Sequence, residues 1–512
     1  MNNEVDVLDK INIRRIGKQD SMKKNIIIFG CGTSGLQAYL RLKDFYSILY
    51  FSDNNPEKIG TELHGIPIIH PKEIKQKTDI YKVVIASIYF EEIANQLLRD
   101  QVYNIEAFET FVTNIAQNQA MCSQQNNSFE QEYIKTILNT PTYKDQYYVE
   151  LPQKPYIREE TDPKIIAYYL PQFYPTEEND KWWGKGVTEW NNVMRAVPQY
   201  VEHYQPKIPG ELGWYDLRLK ENIERQIELA KSHGIYGFCY YYYNFGGKRL
   251  LDKPLNMLLD DKSLSMPFSL CWANENWTAG FDGTRSNVLI EQKQDIEEYK
   301  NVIHDMQRYM KDSRYIEIRG KKLLVIYRPS FIPDTQEVLR YWRKSCKNSA
   351  IGDLYIIGIK EMHYEADLLQ LGFDAQAEFQ PNNVKPYAKD ISKEMKYVAS
   401  NFLGTIYDYE DIVFNKKYEK LRLEKLYRSI IPMWDNSARK NNRGLIFERS
   451  TPALYKTWLK DILKESKTKD LDEPAVFVNA WNEWGEGTYL EPDKRYGYAY
   501  LKATKEALEE IR

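Results

Sequence analysis

From Lys164 onward, eight short apolar or aromatic runs alternate with longer stretches of helical apolar spacing, and no other feature of this 512-residue chain constrains its fold as tightly. The runs are Ile165–Tyr169, Gly237–Tyr242, Phe268–Trp272, Leu323–Tyr327, Tyr355–Ile359, Ala375–Phe379, Ile431–Trp434 and Val476–Ala480. Between them lie amphipathic segments such as 219–233, with Ile223, Ile227 and Ala230 on one face, and 336–346, with Val338, Leu339 and Trp342. Strand alternating with helix predicts a parallel sheet, and eight such units over roughly 350 residues suit a (β/α)8 TIM-type barrel with insertions. An open doubly wound sheet is the alternative.

The earlier part of the chain is of another kind. All eleven Trp lie between Trp182 and Trp484. Residues 24–35, KNIIIFGCGTSG, form a β-branched run that stops at glycine, and Leu36 to Leu42 follow with helical spacing. Gly30, Gly32 and Gly35 fit G-x-G-x-x-G, a pattern that permits a tight turn, close backbone approach to a pyrophosphate and close helix packing. A second strand, 48–51, ends at Ser52-Asp53, about ~20 residues on, where an acid can accept a ribose hydroxyl. A third follows at 83–87. These signals predict a Rossmann-like domain over 22–112 that takes a nucleotide or sugar nucleotide through Gly30, Gly32, Gly35 and Asp53, or keeps the fold with an empty crevice. SDNNPEKIG and HGIPII, within 51–69, resemble the N-terminal domain of sugar acyltransferases and sugar-nucleotide-modifying enzymes. At ~90 residues the segment is too short for a complete dehydrogenase. Residues 116–128, AQNQAMCSQQNNS, are too poor in large aliphatic residues to build a core. They predict a linker with a short helix over 113–160, leaving 161–512 to the barrel.

Charge and composition exclude several classes of function. Lys and Arg number 70 against 73 Asp and Glu, so there is no basic excess to drive phosphate-backbone binding to nucleic acid. No apolar run reaches the ~18–20 residues of a membrane span. The polar start lacks the apolar centre of a signal peptide, and five Cys without CxxC make no disulfide frame, so a cytoplasmic location is expected. Six His without HExxH indicate no zinc site, and neither G-x-S-x-G nor a P-loop occurs. The one Asp-x-Asp, Asp470-Leu471-Asp472, precedes the last strand, the wrong end for a barrel site.

A barrel places its reactive groups where strands end and loops begin. Read there, the chain offers flat aromatic faces for the apolar side of a sugar ring, and amides and carboxylates for paired hydroxyls. The candidate contacts are Tyr169, Gln172, Trp190, His203, Tyr243, Asn244, Trp272, Asn274, Glu275, Trp434, Trp481, Asn482 and Trp484. Any single Trp is also an ordinary core or loop anchor. In the run Tyr240 to Tyr243, strand alternation expects two rings inside the barrel and two toward the helices. The sharpest signal is Glu483 and Glu486, three apart behind the last strand and flanked by Gly485 and Gly487. Burial and mutual repulsion can drive the pKa values of two such carboxylates apart, leaving one as acid and one as base, the division that glycosidic-bond chemistry requires. An acidic loop that caps a helix, or pairs with Lys494 and Arg495, is the plainer alternative.

Five motifs carry a family resemblance: Ala167 to Phe173 (AYYLPQF), Trp183-Gly184 with Thr188-Glu189-Trp190, His203 to Pro206 (HYQP), Trp272 to Glu275 (WANE) and Trp481 to Gly487 (WNEWGEG). Together they resemble the WbsX-type proteins of bacterial surface-polysaccharide clusters, related to glycoside hydrolase family 99, the endo-α-mannosidases. The resemblance covers about residues 160–510 and implies a (β/α)8 barrel with metal-independent chemistry and no required cofactor. It implies Glu486 as general acid/base and Glu483 as the group taking the sugar 2-hydroxyl proton, a retaining route through a 1,2-anhydro sugar. Where the hydrolases usually have His, this chain has Gly485. The activity so implied is glycosyl transfer with α-linkages in O-antigen or capsule assembly, with a glycan or sugar-nucleotide substrate and a lipid-linked acceptor among its partners. An endo-acting α-glycoside hydrolase is the alternative, and a non-catalytic glycan-binding protein the second.

Overall fold

A computed structural model describes residues 23–112, 133–138 and 143–512, apart from positions 78, 88, 109, 135, 153, 279–287, 294, 399 and 400. The polar start and the stretch 116–128 read as a linker lie outside the described residues. The chain divides into two compact units, the first of which contains the early residues together with Gln199–His203 and Lys393–Leu403.

In that first unit the elements are β1 (Asn25–Phe29), α1 (Thr33–Leu42), β2 (Ser47–Ser52), β3 (Glu62–Leu63), β4 (Ile66–Ile69), β5 (Lys82–Ile85), α2 (Phe90–Arg99) and β6 (Ile105–Ala107). The sheet order is β3-β4-β2-β1-β5-β6, parallel except for the hairpin arm β3. Because side chains alternate along a strand, Ile26 and Ile28 of β1 pack with Ala38 and Leu42 of α1, while Ile27 and Phe29 pack with Ile93 and Leu97 of α2. One helix covers each face, the Rossmann-like layering that the sequence predicts. Gly30 has φ +113°, and a Cβ on Gly35 would stand 1.8 Å from the Gly30 carbonyl oxygen, so α1 packs against the turn only with glycine there.

The second unit is a closed barrel of eight parallel strands. They are β7 (Lys164–Tyr169), β8 (Gly237–Phe245), β9 (Phe268–Trp272), β10 (Lys321–Ile326), β11 (Leu354–Ile359), β12 (Ala375–Ala377), β13 in two pieces (Leu426–Tyr427 and Ser429–Ile430) and β14 (Ala475–Val478). Each pairs in parallel with the next, from Ile166 beside Gly237 round to Ser429 beside Phe477, and Ala475 beside Lys164 closes the ring. The helices that matter below are α3 (Glu189–Met194), α4 (Lys220–Ser232), α5 (Ile296–Met310), α6 (Thr335–Asn348), α7 (Ser437–Lys440) and α8 (Pro452–Thr468). The faces expected of 219–233 and 336–346 are buried, with Ile223, Ile227 and Ala230 on α4 and Val338, Leu339 and Trp342 on α6. Among the described residues no helix is long and apolar enough to cross a membrane.

The seventh strand departs from expectation. It runs through Leu426 to Ile430, and the run Ile431 to Trp434 lies beyond it, with Trp434–Asp435 pairing antiparallel to Phe447 and Ile446 in a separate small sheet. Arg428 in the middle of the true strand disguises it, because its charge is buried against Glu378 and Glu465. Pro432 in the mistaken run is a residue that central strands avoid.

Candidate functional site

Beyond β14 the chain makes a tight hairpin in which Asn482 and Glu483 pair with Tyr489 and Thr488. Gly487, at φ +59°, has its hypothetical Cβ 2.6 Å from the Asp435 carbonyl oxygen, so only glycine completes the turn. Asn482 fastens the hairpin to the end of β7: its Oδ1 accepts from the Leu170 amide at 2.7 Å and its Nδ2 donates to the Leu170 carbonyl at 3.0 Å. From beneath, Trp484 Nε1 donates to Glu491 at 2.6 Å and the indole stacks on Tyr489 at 3.7 Å. Glu491 also accepts from Gln226 and Tyr215, and burial pushes its carboxyl up to about 7. With its backbone and underside fastened, the turn presents both Glu483 and Glu486 to one cavity at the C-terminal ends of the strands.

A single guanidinium ties that pair together. Arg439, on α7, donates through Nη2 to Glu483 at 2.9 Å, through Nη1 to Glu486 at 2.8 Å and through Nε to Glu189 at 2.7 Å. Arg439 therefore bridges three carboxylates, with Lys440 adding a second positive charge near Glu486, and Glu189 is fully buried. Burial pushes the Glu483 carboxyl up to about 8, with Arg439 opposing and the Glu486 and Glu189 charges adding to the rise. Burial raises Glu486 too, again against Arg439. Such a coupled pair keeps a proton at neutral pH, so the turn can give a proton at one oxygen and take one at another.

The expected aromatic alternation is present. Tyr241 and Tyr243 line the cavity, while Tyr240 packs on Tyr169 and Phe238, and Tyr242 lies edge-on to Tyr309 of α5. Of the candidate contacts, the cavity brings together Gln172, Tyr243 and Glu275 with the two glutamates. Glu275 accepts from Arg328 Nε at 2.9 Å, and Asn274 holds that arginine by exchanging two 2.8 Å hydrogen bonds with its backbone.

The other candidates are not among the described residues that line the cavity, for reasons of direction. As the last residues of their strands, Tyr169 and Trp272 face the helices: Tyr169 donates to Gln226 of α4 at 2.7 Å and Trp272 packs on Tyr299 and Trp342. Trp190 donates through Nε1 to the Tyr215 carbonyl at 2.7 Å and packs under Trp484. Trp481 packs on Phe238, Trp434 belongs to the separate small sheet, and Asn244 braces the Gly247 amide at 3.0 Å. Asn482 and Trp484 fasten the turn as described. His203 belongs to the other unit, where Nδ1 accepts from the Gln199 amide at 3.0 Å and the ring stacks on Tyr200.

Arg439, Trp182 and Tyr327, which sequence reasoning did not single out, complete the cavity with Trp277 and Phe379, which the sequence places at the rim after the third and sixth runs, and Glu189 lies behind Arg439. Trp277 lies edge-on to Trp182, Tyr243 and Phe245. A signal for Glu189 did exist in the Thr188-Glu189-Trp190 motif. Arg439 carries none, since nothing in its polar surroundings marks it.

In the first unit, among the described residues, the glycine turn leaves open space beside Gly32, and no side chain caps the first turn of α1. Its backbone is therefore approachable by an anionic group. Asp53 spends its carboxylate within the chain: Oδ2 accepts from the Cys31 amide at 2.8 Å with Lys58 at 3.4 Å, and Oδ1 accepts from the Asn55 amide at 2.9 Å.

A family model described as glycosyltransferase WbsX matches residues 165–504, and one described as C2185-like, N-terminal, matches residues 22–106. The chain is 38% identical over 345 residues to the uncharacterized protein WxcX of Xanthomonas campestris pv. campestris, in two strains, a stretch that makes up 67% of this chain and 49% of the relative. It thus spans about half the length of the curated relatives it matches. Among solved structures, a GH99 endo-alpha-mannosidase from Bacteroides thetaiotaomicron is 15% identical, with 68% of this chain and 97% of that one covered at a TM-score of 0.40. A glycoside hydrolase-like protein is 17% identical, with 71% and 98% covered at a TM-score of 0.44.

Proposed function

Because the chain belongs to the WbsX glycosyltransferase family, we propose that this carbohydrate-active enzyme forms α-glycosidic linkages in bacterial surface-polysaccharide assembly by a retaining route through Glu483 and Glu486. The observation that carries the reading is the shared Arg439 guanidinium, which holds both carboxylates at one cavity wall while burial keeps a proton on the pair. In the reactive form the proton shared by the pair sits on Glu486, and in the first half-reaction the ionised Glu483 takes the proton of the sugar 2-hydroxyl as that oxygen bonds to C1. The bond from C1 to the leaving oxygen breaks, and the proton on Glu486 goes to that oxygen, leaving a 1,2-anhydro sugar. In the second half an acceptor hydroxyl gives its proton to Glu486 as its oxygen bonds to C1. The C1 bond to O2 then opens, and O2 recovers its proton from Glu483. Two inversions at C1 restore the starting configuration.

If water is the acceptor, the same steps are an endo-acting α-glycoside hydrolysis, and one observation favours that second reading. Among the described residues, Glu189, Glu275, Glu361, Glu483 and Glu486, even with one proton on the pair, outnumber Arg328, Arg439 and Lys440 around the cavity, so a nucleotide diphosphate would meet surplus negative charge. A general acid also serves a poor alkoxide leaving group more than a stable diphosphate anion. In the first unit, we propose that the Gly30, Gly32 and Gly35 turn, with Asp53 bracing it, receives a nucleotide or sugar nucleotide; heat released on titrating UDP-sugars into the protein, lost in a Gly32→Asp variant, checks this.

The test of the main reading is product analysis. Labelled nucleotide-sugar donors with lipid-linked acceptors should yield an elongated acceptor under the transferase reading. Oligosaccharide or aryl α-glycosides should release reducing ends under the hydrolase reading. In either case anomeric configuration is retained at the first-formed product, and net inversion overturns the two-glutamate route.

A further inference from the structure

We propose that Glu189 is a positioning residue of the two-glutamate site: it fills the space left by the missing side chain at Gly485, holds Arg439 through Nε, and sets the charge that Glu483 and Glu486 share. The proposal rests on the reading of that pair as acid and base. Three observations about geometry support it.

The first is exclusion. A Cβ built on Gly485 would stand 1.6 Å from Glu189 Oε1 and 2.9 Å from Arg439 Nε, so any side chain at position 485 expels the carboxylate. Glu189 Oε1 thus occupies the space that a side chain at position 485 would need.

The second is fixation. Glu189 opens α3 directly after the N-cap Thr188, whose amide is met by Asn191 Oδ1 at 2.8 Å and whose hydroxyl accepts from the Trp190 amide at 3.2 Å. The Glu189 amide donates to the Gln172 carbonyl at 3.2 Å, and the neighbouring Trp190 is buried under Trp484. The backbone that carries Glu189 is therefore fixed, and its carboxylate is held by Arg439 Nε and by Asn192 Nδ2, which donates to Oε2 at 3.4 Å.

The third is division of labour on the guanidinium. With Glu189 on Nε, the two terminal nitrogens point one to each catalytic candidate. Without Glu189, the planar fork is free to turn and meet one carboxylate bidentately. The charged and titratable groups facing this cluster are Arg439 and Lys440 from α7, Glu483 and Glu486 from the turn, Tyr241 and Tyr243 from β8, and Tyr327 after β10. Glu189 adds negative charge to both glutamates, and its neutralisation lets Arg439 favour their ionised forms.

The experiment uses the full chain with Glu189→Gln, which keeps size and removes charge. Both limbs of the pH profile of kcat/KM are expected to move to lower pH by about one unit, with kcat reduced about tenfold and KM little changed. Independently of turnover, the infrared band of the protonated carboxylic acid, assigned by its loss in Glu483→Gln, should titrate at lower pH in Glu189→Gln. Gly485→Ala should lose activity as severely as Glu189→Ala, and adding it to Glu189→Ala should cost little more, the non-additivity of two residues that share one space. Unmoved limbs and an unmoved infrared midpoint, or additive losses, overturn the proposal. Full turnover in Glu483→Gln and Glu486→Gln would instead overturn the reading on which it rests, so the two failures are told apart.

Discussion

Arg428 and Arg439 both bridge carboxylates inside the second unit, and they differ in what else their partners do. Arg428 donates to Glu378 at 2.7 Å and to Glu465 at 3.0 Å, and its Nη1 also reaches the carbonyls of Tyr418 and Leu421. The second oxygen of Glu378 accepts from the Ser429 amide. This cluster, lodged between the end of β12, strand β13 and α8, has its donors and acceptors matched within the protein. Arg439 meets three carboxylates, and two of those open on the cavity. A buried arginine whose neighbours are all committed stiffens a scaffold. One surrounded by surplus negative charge leaves the acids room to hold and release protons.

The largest effect should separate the clusters by kind. Glu483→Gln and Glu486→Gln are each expected to lower turnover by ~10³-fold or more while glycan affinity, measured by titration calorimetry, survives. Glu378→Gln should do the opposite, costing about 3–5 kcal/mol in urea unfolding because Arg428 is left partly unpaired, with kcat preserved in the folded fraction. The comparison breaks if Glu378→Gln removes turnover at unchanged stability, or if the turn variants unfold the protein and retain activity.

Burial raises Glu378 as it raises Glu483, with Arg428 opposing, but Glu465 of the Arg428 cluster shifts the other way and so has a pH signature of opposite sign to that of Glu483. Burial raises Glu483 from 4.5 to about 8 in the folded chain, so the folded state binds more protons than the unfolded state across that window. Its contribution to stability is present in full below the unfolded value and is lost as pH rises through about 8. Against the cost of burial, hydrogen bonds from Arg428 and Lys469 hold the Glu465 carboxyl below the usual range, so its contribution is present above the ordinary value and is lost on acidification. Thermal unfolding from about pH 3 to about pH 9 should therefore show a component declining above about pH 5 that Glu483→Gln flattens, whereas Glu465→Gln flattens only the acid limb. An unchanged slope above pH 5 in Glu483→Gln would place its proton affinity back in the ordinary range.

Much of this was legible in the chain, and the remainder hid for definite reasons. Strands buried on both faces read as continuous apolar runs, which made seven of the eight visible; the remaining one, the seventh in chain order, Leu426 to Ile430, is interrupted by the very arginine that braces it. The acidic pair was visible because its spacing is local. Arg439 was not, because it arrives from 44 positions earlier and only the closed ring brings it across. Several aromatics were assigned to sugar contact from their place near strand ends, but the last residue of a strand can face either layer. For Tyr169 and Trp272 that layer is the helices.

That distinction between facing layers yields the smallest of the expected effects and extends the comparison from acids to rings. Trp277 is half-buried, lines the cavity beside Tyr243, and among the described residues donates no indole hydrogen bond to a backbone carbonyl comparable to that of Trp190. Trp277→Ala is expected to weaken glycan binding by about 1–2 kcal/mol, a KM increase of ~5–30-fold, with kcat and unfolding midpoint nearly unchanged. Trp190→Ala removes a buried indole and its hydrogen bond, and should cost roughly 3–5 kcal/mol of stability, with any loss of affinity secondary to that. Steady-state kinetics beside urea titrations read both quantities for each variant. If Trp277→Ala instead lowers stability and leaves KM alone, the cavity-facing ring is packing like the rest, and the open side of the barrel narrows to the acids and their arginine.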